Sequence, residues 1–183
     1  MPAAALAEWQ PVEQIKTYGV TGQTGAALYQ SIGERGPGFG SNGRAIAHTT
    51  FKLTWTRKYE AQGSACAIVT ARPKLIITYT LPKPEARLSG PVAASWQTFI
   101  AGIEKHERVH GRHITEMVGE IESTSLGLRV EDDAACKKIR VELTRRLGAL
   151  SDKQRQRGRD FDQVEMSDGG NIRQLILQLV NGP

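Results

Sequence analysis

Residues 105–116 read KHERVHGRHITE and combine histidine and glutamate at a spacing that zinc enzymes use. His106 and His110 are four positions apart, and residues at this spacing lie on one face of an α-helix. Their imidazoles can therefore bind the same metal ion. Glu107 would stand beside that ion, where a carboxylate can take a proton from water and pass it to a leaving amine. The stretch predicts a zinc site that hydrolyses peptide bonds, with Glu107 as general base.

A third histidine, His113, lies on the same helix face but seven positions after His106. That separation is about 10.5 Å along a helix axis, too far for both imidazoles to reach one ion. Gly111 would have to break the helix, yet Ile114, Met117 and Ile121 continue its period. We expect His113 near the site, and His113 and Arg112 are the nearest candidates to stabilise an oxyanion. The alternative is an ordinary helix with solvated or hydrogen-bonded histidines.

The third zinc ligand is expected from a later acidic stretch, residues 160–168, which read DFDQVEMSD. Asp162 and Glu165 are three positions apart and share a helix face. We expect Asp162 to bind the metal, with Glu165 as the next candidate. The carboxylate that does not bind can orient a histidine ring from outside. The alternative is an acidic, solvated helix end.

The pattern of apolar residues predicts an α+β protein, with an antiparallel sheet in the N-terminal half and long packed helices in the C-terminal half. Alternating or β-branched residues predict four strands, at residues 14–20, 49–56, 65–71 and 74–81. A period of three to four predicts four helices: residues 25–32, one from residue 91 that carries the histidines, residues 132–166 and residues 171–180. A glycine-rich loop is expected at residues 33–43.

Charge and hydropathy argue against two classes of partner, with a DNA-associated basic protein as a weaker alternative. The 183 residues carry 24 Lys+Arg and 19 Asp+Glu, a net charge of +5. The arginines of residues 140–159 are interleaved with acids, which favours a solvated helix face over a nucleic-acid surface. No apolar run approaches the roughly 20 residues of a membrane span.

The N-terminus and the cysteines favour an exported protein. Ala5-Leu6-Ala7 before Glu8 has the small-x-small form of a signal-peptidase site. We expect residues 1–9 to be a residual signal peptide or a disordered N-terminus, and residues 10–183 to form one zincin-like metallopeptidase domain. Cys66 and Cys136 are expected to form a disulfide, with two separate buried thiols as the alternative. The predicted location is periplasmic or secreted.

The chain also resembles a bacterial domain-of-unknown-function family of predicted secreted zinc-dependent proteases, grouped with the H-E-x-x-H peptidases. Seven features carry the resemblance: Tyr18-Gly19-Val20-Thr21-Gly22, the Thr50–Thr56 strand with its tryptophan, the Cys66 strand, Leu81-Pro82, Trp96, residues 106–110 and Phe161-Asp162. Members of that family continue from the aromatic-Asp pair to a threonine and a His-Gly. This chain has Glu165 and then Ser167-Asp168-Gly169 there. If the family's third ligand is that histidine, either an aspartate or glutamate replaces it here or the site is altered.

These observations predict a periplasmic or secreted, Zn²⁺-dependent metallopeptidase that acts on a peptide or protein, for example a cell-envelope component. The alternative is a non-catalytic periplasmic binding or scaffold domain that retains a zincin-like fold. The departure at Ser167-Asp168 motivates this alternative.

Overall fold

The structure, a computed structural model, describes residues 9–41 and 43–182. The expected signal-peptide remnant, apart from its last residue, lies outside the described residues. The helices are α1 (Gly25–Arg35), α2 (Gly90–Ser125), α3 (Lys138–Met166) and α4 (Asn171–Val180). The strands are β1 (Val12–Val20), β2 (Gly38–Phe39), β3 (Gly43–Arg44), β4 (His48–Gln62), β5 (Ala65–Pro84) and β6 (Arg129–Val130). The predicted α+β class is confirmed.

The main sheet is mixed, which corrects the expectation of an antiparallel sheet. Its order is β1-β5-β4, and β6 pairs antiparallel with the start of β5, where Cys66 lies opposite Val130. The ends of β1 and β5 meet, because the N–H of Glu85 donates to the carbonyl of Val20 at 2.9 Å. These two strands therefore run parallel. The intervening α1 and β4 form the long connection that a parallel pair requires.

β5 is one continuous strand, so the predicted break at Arg72-Pro73 was wrong. Proline is compatible with extended backbone because its fixed φ lies in the β and polyproline region. All four residues from Ala65 to Ile68 are buried, and from Ala71 to Leu81 buried residues occur only at odd positions. The start of the strand is therefore buried on both faces, whereas its later part presents one buried face.

α3 begins six residues later than the predicted residue 132. Asp132 and Cys136 have φ angles of 51° and 54°, outside the helical region. The buried Asp133 carboxylate accepts the N–H groups of Lys137, Lys138 and Ile139 at 2.7, 3.0 and 2.8 Å, and so caps the helix from a preceding loop. That loop also holds the predicted disulfide, which is confirmed: Cys66 and Cys136 are bonded, with Cα atoms 5.2 Å apart.

The chain divides into two compact units, to which the long elements each contribute a part. The first contains residues 51–76 and 114–155, and its core surrounds the disulfide with Ile68, Leu128, Ile139 and Leu143. The second contains residues 13–50, 77–113 and those from 156 onward. Its core is formed by Val20, Leu28, Ile32, Leu81, Val92, Trp96, Phe99, Ile103, Ile172 and Leu179. None of the helices in the described residues has an apolar stretch suited to crossing a membrane.

Candidate metal centre

All the candidate metal ligands belong to the second unit. Residues 106–110 lie within α2, where His106 and His110 continue the buried stripe of Phe99 and Ile103 at spacings of three and four residues. Their side chains are 11% and 17% exposed. The hydrophobic side of α2 thus turns both imidazoles toward the interior of the unit rather than to bulk water.

Three candidate ligand atoms converge at this point. Oδ1 of Asp162, on α3, lies 2.8 Å from Nε2 of His110 and 3.1 Å from Nε2 of His106. The two Nε2 atoms are themselves 3.1 Å apart. In the described residues these three side chains form the one group of histidine, cysteine and acidic residues that could hold a metal ion.

The donor set fits a zinc ion. Ligands bonded to tetrahedral zinc at about 2.0–2.1 Å lie about 3.3 Å from one another, close to the separations of these three atoms. Without a cation, the two Nε2 atoms and Oδ1 of Asp162 cannot all form favourable hydrogen bonds at these distances. If both Nε2 atoms carry protons to donate to Asp162, those protons also crowd each other. A cation that accepts a lone pair from each imidazole and from the carboxylate removes this conflict.

Glu165 faces the other ring nitrogen of His106 and is not one of the three candidate ligands. Its Oε2 is 3.5 Å from Nδ1 of His106 and accepts from Nδ2 of Asn171 at 3.3 Å. A carboxylate at Nδ1 favours the tautomer that leaves Nε2 free to bind metal. The geometry therefore gives Asp162 and Glu165 different positions: one faces both histidines, and the other supports the ring of His106.

The charges of the group stabilise one another. Burial alone would lower the pKa of His106, but the hydrogen bond to Asp162 and the charges of Glu107 and Asp162 outweigh it, and the pKa is raised. Partial burial would raise the pKa of Asp162, but hydrogen bonds from His106 and His110 outweigh it and lower the pKa. Without metal, a protonated imidazole and an ionised carboxylate therefore stabilise each other at the centre.

Phe161 shields the centre on one side. Its ring stacks on His106 at 4.7 Å, with 20° between the planes, and meets His110 edge-on at 5.4 Å. His113 lies 6.0 Å from the same ring and is 8% exposed. His113 is thus buried beside the three candidate ligands and is not one of them. Arg112, which precedes it on α2, is exposed.

Glu107, the candidate general base, is 6% exposed and has a close partner from the sheet. Oγ1 of Thr49, at the start of β4, lies 2.5 Å from Oε2 of Glu107 and 3.1 Å from its backbone oxygen. The hydroxyl has one proton and can donate it to either oxygen. Sequence reasoning missed this contact, because Thr49 belongs to an ordinary alternating strand and carries no local signal.

A second network fixes the motif helix to the sheet. Oη of the buried Tyr79 donates to Oε1 of Glu13 at 2.7 Å, and a guanidinium nitrogen of Arg108 donates to Oε2 of Glu13 at 2.8 Å. Arg108 also pairs with Glu104 and lies over the Tyr79 ring at 5.1 Å. Gly111 faces the same tyrosine, since a Cβ there would stand 2.1 Å from Oη. The helix approaches β5 closely because position 111 has no side chain.

Comparison with known proteins identifies the family. Residues 15–170, most of the chain, match the family described as "Bacterial protein of unknown function (DUF922)". The chain belongs to this family. The chain matches no curated protein and no solved structure. The predicted membership of a bacterial family of unknown function is therefore confirmed, and the description of DUF922 names no activity.

The part of this DUF922 protein that matches the family includes the three ligand atoms, Glu107, Glu165 and Thr49. Two supporting residues lie just beyond it: Glu13, which joins Tyr79 to Arg108, and Asn171, which contacts Glu165. Neither was singled out from the sequence. Asn171 is the first residue of α4, three positions after the Ser167-Asp168 departure.

Proposed function

We propose that this protein is an extracytoplasmic, zincin-like metallopeptidase that hydrolyses peptide bonds. The convergence of Nε2 of His106, Nε2 of His110 and Oδ1 of Asp162 within 3.1 Å of one another is the observation that carries the proposal. Three protein ligands leave a tetrahedral ion one open position, the arrangement of catalytic rather than structural zinc sites.

The residues around the ligands have distinct tasks in such an enzyme. A bound zinc ion would supply Lewis acidity, polarising the scissile carbonyl and lowering the pKa of water. Glu107 takes the proton of the attacking water and delivers it to the leaving amine, and Thr49 fixes its carboxylate. Glu165 holds the ring of His106, while Phe161 excludes water from one side.

With Asp162 as third ligand, the site is complete without a histidine at the Ser167-Asp168-Gly169 departure. Two histidines and one carboxylate are a ligand set that catalytic zinc sites use, and Asp and Glu oxygens bind zinc at distances similar to those of histidine nitrogens. The side chain of Asp168 pairs instead with Arg173 at 3.0 Å. The substrate we propose is a peptide or protein of the cell envelope, and the Cys66–Cys136 disulfide supports a location outside the cytoplasm.

Metal analysis combined with three variants tests the proposal. The wild-type protein should bind one equivalent of zinc and hydrolyse a fluorescently labelled casein. Glu107→Gln should keep the zinc and lose hydrolysis. Asp162→Asn should lose both, whereas Asp160→Asn is the matched control, because Asp160 contacts Gln156 on the exposed side of the same helix. Asp160→Asn should behave as wild type.

Two results would decide against an enzyme. A wild-type protein with no affinity for zinc would remove the metal from the proposal. A protein that binds zinc, yet cleaves casein no faster than Glu107→Gln does, would favour the non-catalytic binding or scaffold domain.

A further inference from the structure

The second unit contains an open, mostly apolar groove of about 600 Å³ between the end of β5 and the start of α2. We call it the β5–α2 groove. Its apolar walls come from Leu81, Pro82, Leu88, Trp96 and Ile100. The volume lies within the range of about 300–1,000 Å³ that holds small-molecule ligands.

The groove is separate from the candidate metal centre. Ile100, the groove residue nearest to His106 in the chain, precedes it by six residues on α2, which is about 9 Å along the axis. On the sheet, the groove borders β1 through Thr17. Glu107 of the candidate metal centre instead contacts β4 through Thr49. β1 and β4 lie on opposite sides of β5. None of the ligands or supporting residues of the centre lines the groove.

Charge at the groove favours an anion. Lys83 and Arg87 both line it and are exposed, and the lining includes no acidic residue. Glu85, the acid between them in the chain, is paired with Arg35 at 2.9 Å. The first turn of α2, which also borders the groove, contains no acidic residue, so the positive end of the helix dipole is not neutralised there.

The backbone around the groove offers little to a peptide. Pro82 and Pro84, which line the β5 side, have no N–H to donate. The opposite wall is helical, and beyond its first turn the backbone groups are bonded within α2. A peptide in the groove would bury amide groups without partners, which costs free energy. A hydrocarbon chain has no such groups and gains from burial against these side chains.

We propose that the β5–α2 groove binds a single-chain lipid with an anionic head group, taken up as a monomer. The acyl chain lies against Leu81, Trp96 and Ile100, and the head group lies beside Lys83 and Arg87. The inference is independent of the proposed peptidase activity, because no residue of the metal centre takes part.

Calorimetric titration of the full chain with dodecanoate, below its critical micelle concentration, tests the proposal. Dodecanoate should bind with one site and shift the indole NMR signal of Trp96. Dodecyltrimethylammonium, with an equally long chain and the opposite charge, should bind at least about tenfold more weakly. Equal binding of the two amphiphiles would overturn the assignment of an anionic ligand.

Variants locate the binding. Lys83→Glu with Arg87→Glu should weaken dodecanoate binding by about tenfold or more. The matched control is Arg72→Glu with Lys74→Glu, which makes the same charge change at exposed positions of β5 and should leave binding unchanged. Ala93→Phe should block the groove without altering charge, since Ala93 lines it. A control pair as damaging as the groove pair would contradict a local site.

One further control and two contrary results complete the test of lipid binding. Glu107→Gln should bind dodecanoate as wild type does, so the two proposals can fail separately. Binding to anionic phosphatidylglycerol vesicles without binding to monomeric dodecanoate would replace the proposed ligand with a membrane surface and overturn it. Binding of an acidic apolar peptide in place of dodecanoate would also overturn it.

Discussion

Oγ1 of Thr49 lies 2.5 Å from Oε2 of Glu107, so a hydroxyl at the start of β4 holds the carboxylate that follows His106. The same hydroxyl is 3.1 Å from the backbone oxygen of Glu107. A single side chain from the sheet therefore constrains both the helix position and the direction of its carboxylate.

Replacing Thr49 by valine keeps the side-chain shape and removes the donor. We expect the free energy of unfolding to fall by about 1–3 kcal/mol, because a buried carboxylate loses its partner. Casein hydrolysis should fall by about 10- to 100-fold, since a displaced base acts from the wrong position. Thr49→Ser should restore both quantities. Zinc affinity, measured by competition with a chelating dye, should not change in either variant. A Thr49→Val protein with normal turnover would contradict the role of Thr49.

Glu165→Gln should weaken zinc binding without abolishing it. The amide keeps the size of the side chain but loses the charge that supports Nδ1 of His106, and such changes cost about 10- to 100-fold in metal affinity. Asp162→Asn, which removes a ligand, should be more severe. If Glu165→Gln lost zinc more completely than Asp162→Asn, the two carboxylates would have exchanged roles.

The helix that carries the motif could be predicted because its apolar residues repeat over many turns. The axial rise also separated His113 from the pair His106 and His110, and the structure places His113 outside the group. The contact of Thr49 with Glu107 could not be predicted, because it joins residues 58 positions apart. The late start of α3 was missed for a related reason. Asp133 caps the helix from a loop held by a disulfide to Cys66, and that constraint comes from outside the local sequence.

The stability of the metal-free protein should depend on pH through the centre. The pKa of His106 is raised by folding, so protonated His106 stabilises the folded protein. This stabilisation is complete below the unfolded-state pKa of about 6.5 and is lost as the pH rises through the folded-state pKa. The pKa of Asp162 is lowered by folding, so ionised Asp162 stabilises the folded protein. This stabilisation is complete above about pH 3.9 and is lost as the pH falls through the folded-state pKa. The pair contributes most between about pH 4 and 6.5.

Zinc should restore the stability that the metal-free protein loses as the pH rises. Binding needs neutral imidazoles, so the increase in melting temperature on adding zinc should grow from pH 5 to pH 8. Thermal unfolding with and without zinc across this range measures the effect. A zinc-induced increase of the same size at every pH would exclude His106 as a ligand.

Gly111→Ala should destabilise the protein, although alanine favours helix. The new Cβ would stand 2.1 Å from Oη of Tyr79, and overpacking of this kind costs about 1–3 kcal/mol. Gly119→Ala, on the same helix with no atom near the added Cβ, is the control and should stabilise by up to about 1 kcal/mol. Tyr79→Phe in the Gly111→Ala background should recover part of the loss. Equal effects of the two glycine substitutions, measured by urea unfolding, would refute the close approach.

The three candidate ligands of the proposed centre are unevenly spaced along the chain. His106 and His110 are one helical turn apart, but Asp162 follows His110 by 52 residues. An ion bound to all three would close a loop of that length, and it would act on the unfolded ensemble as a removable cross-link. The zinc supply would then govern how much of the protein resists proteolysis, because a chain short of metal opens more often and is degraded first.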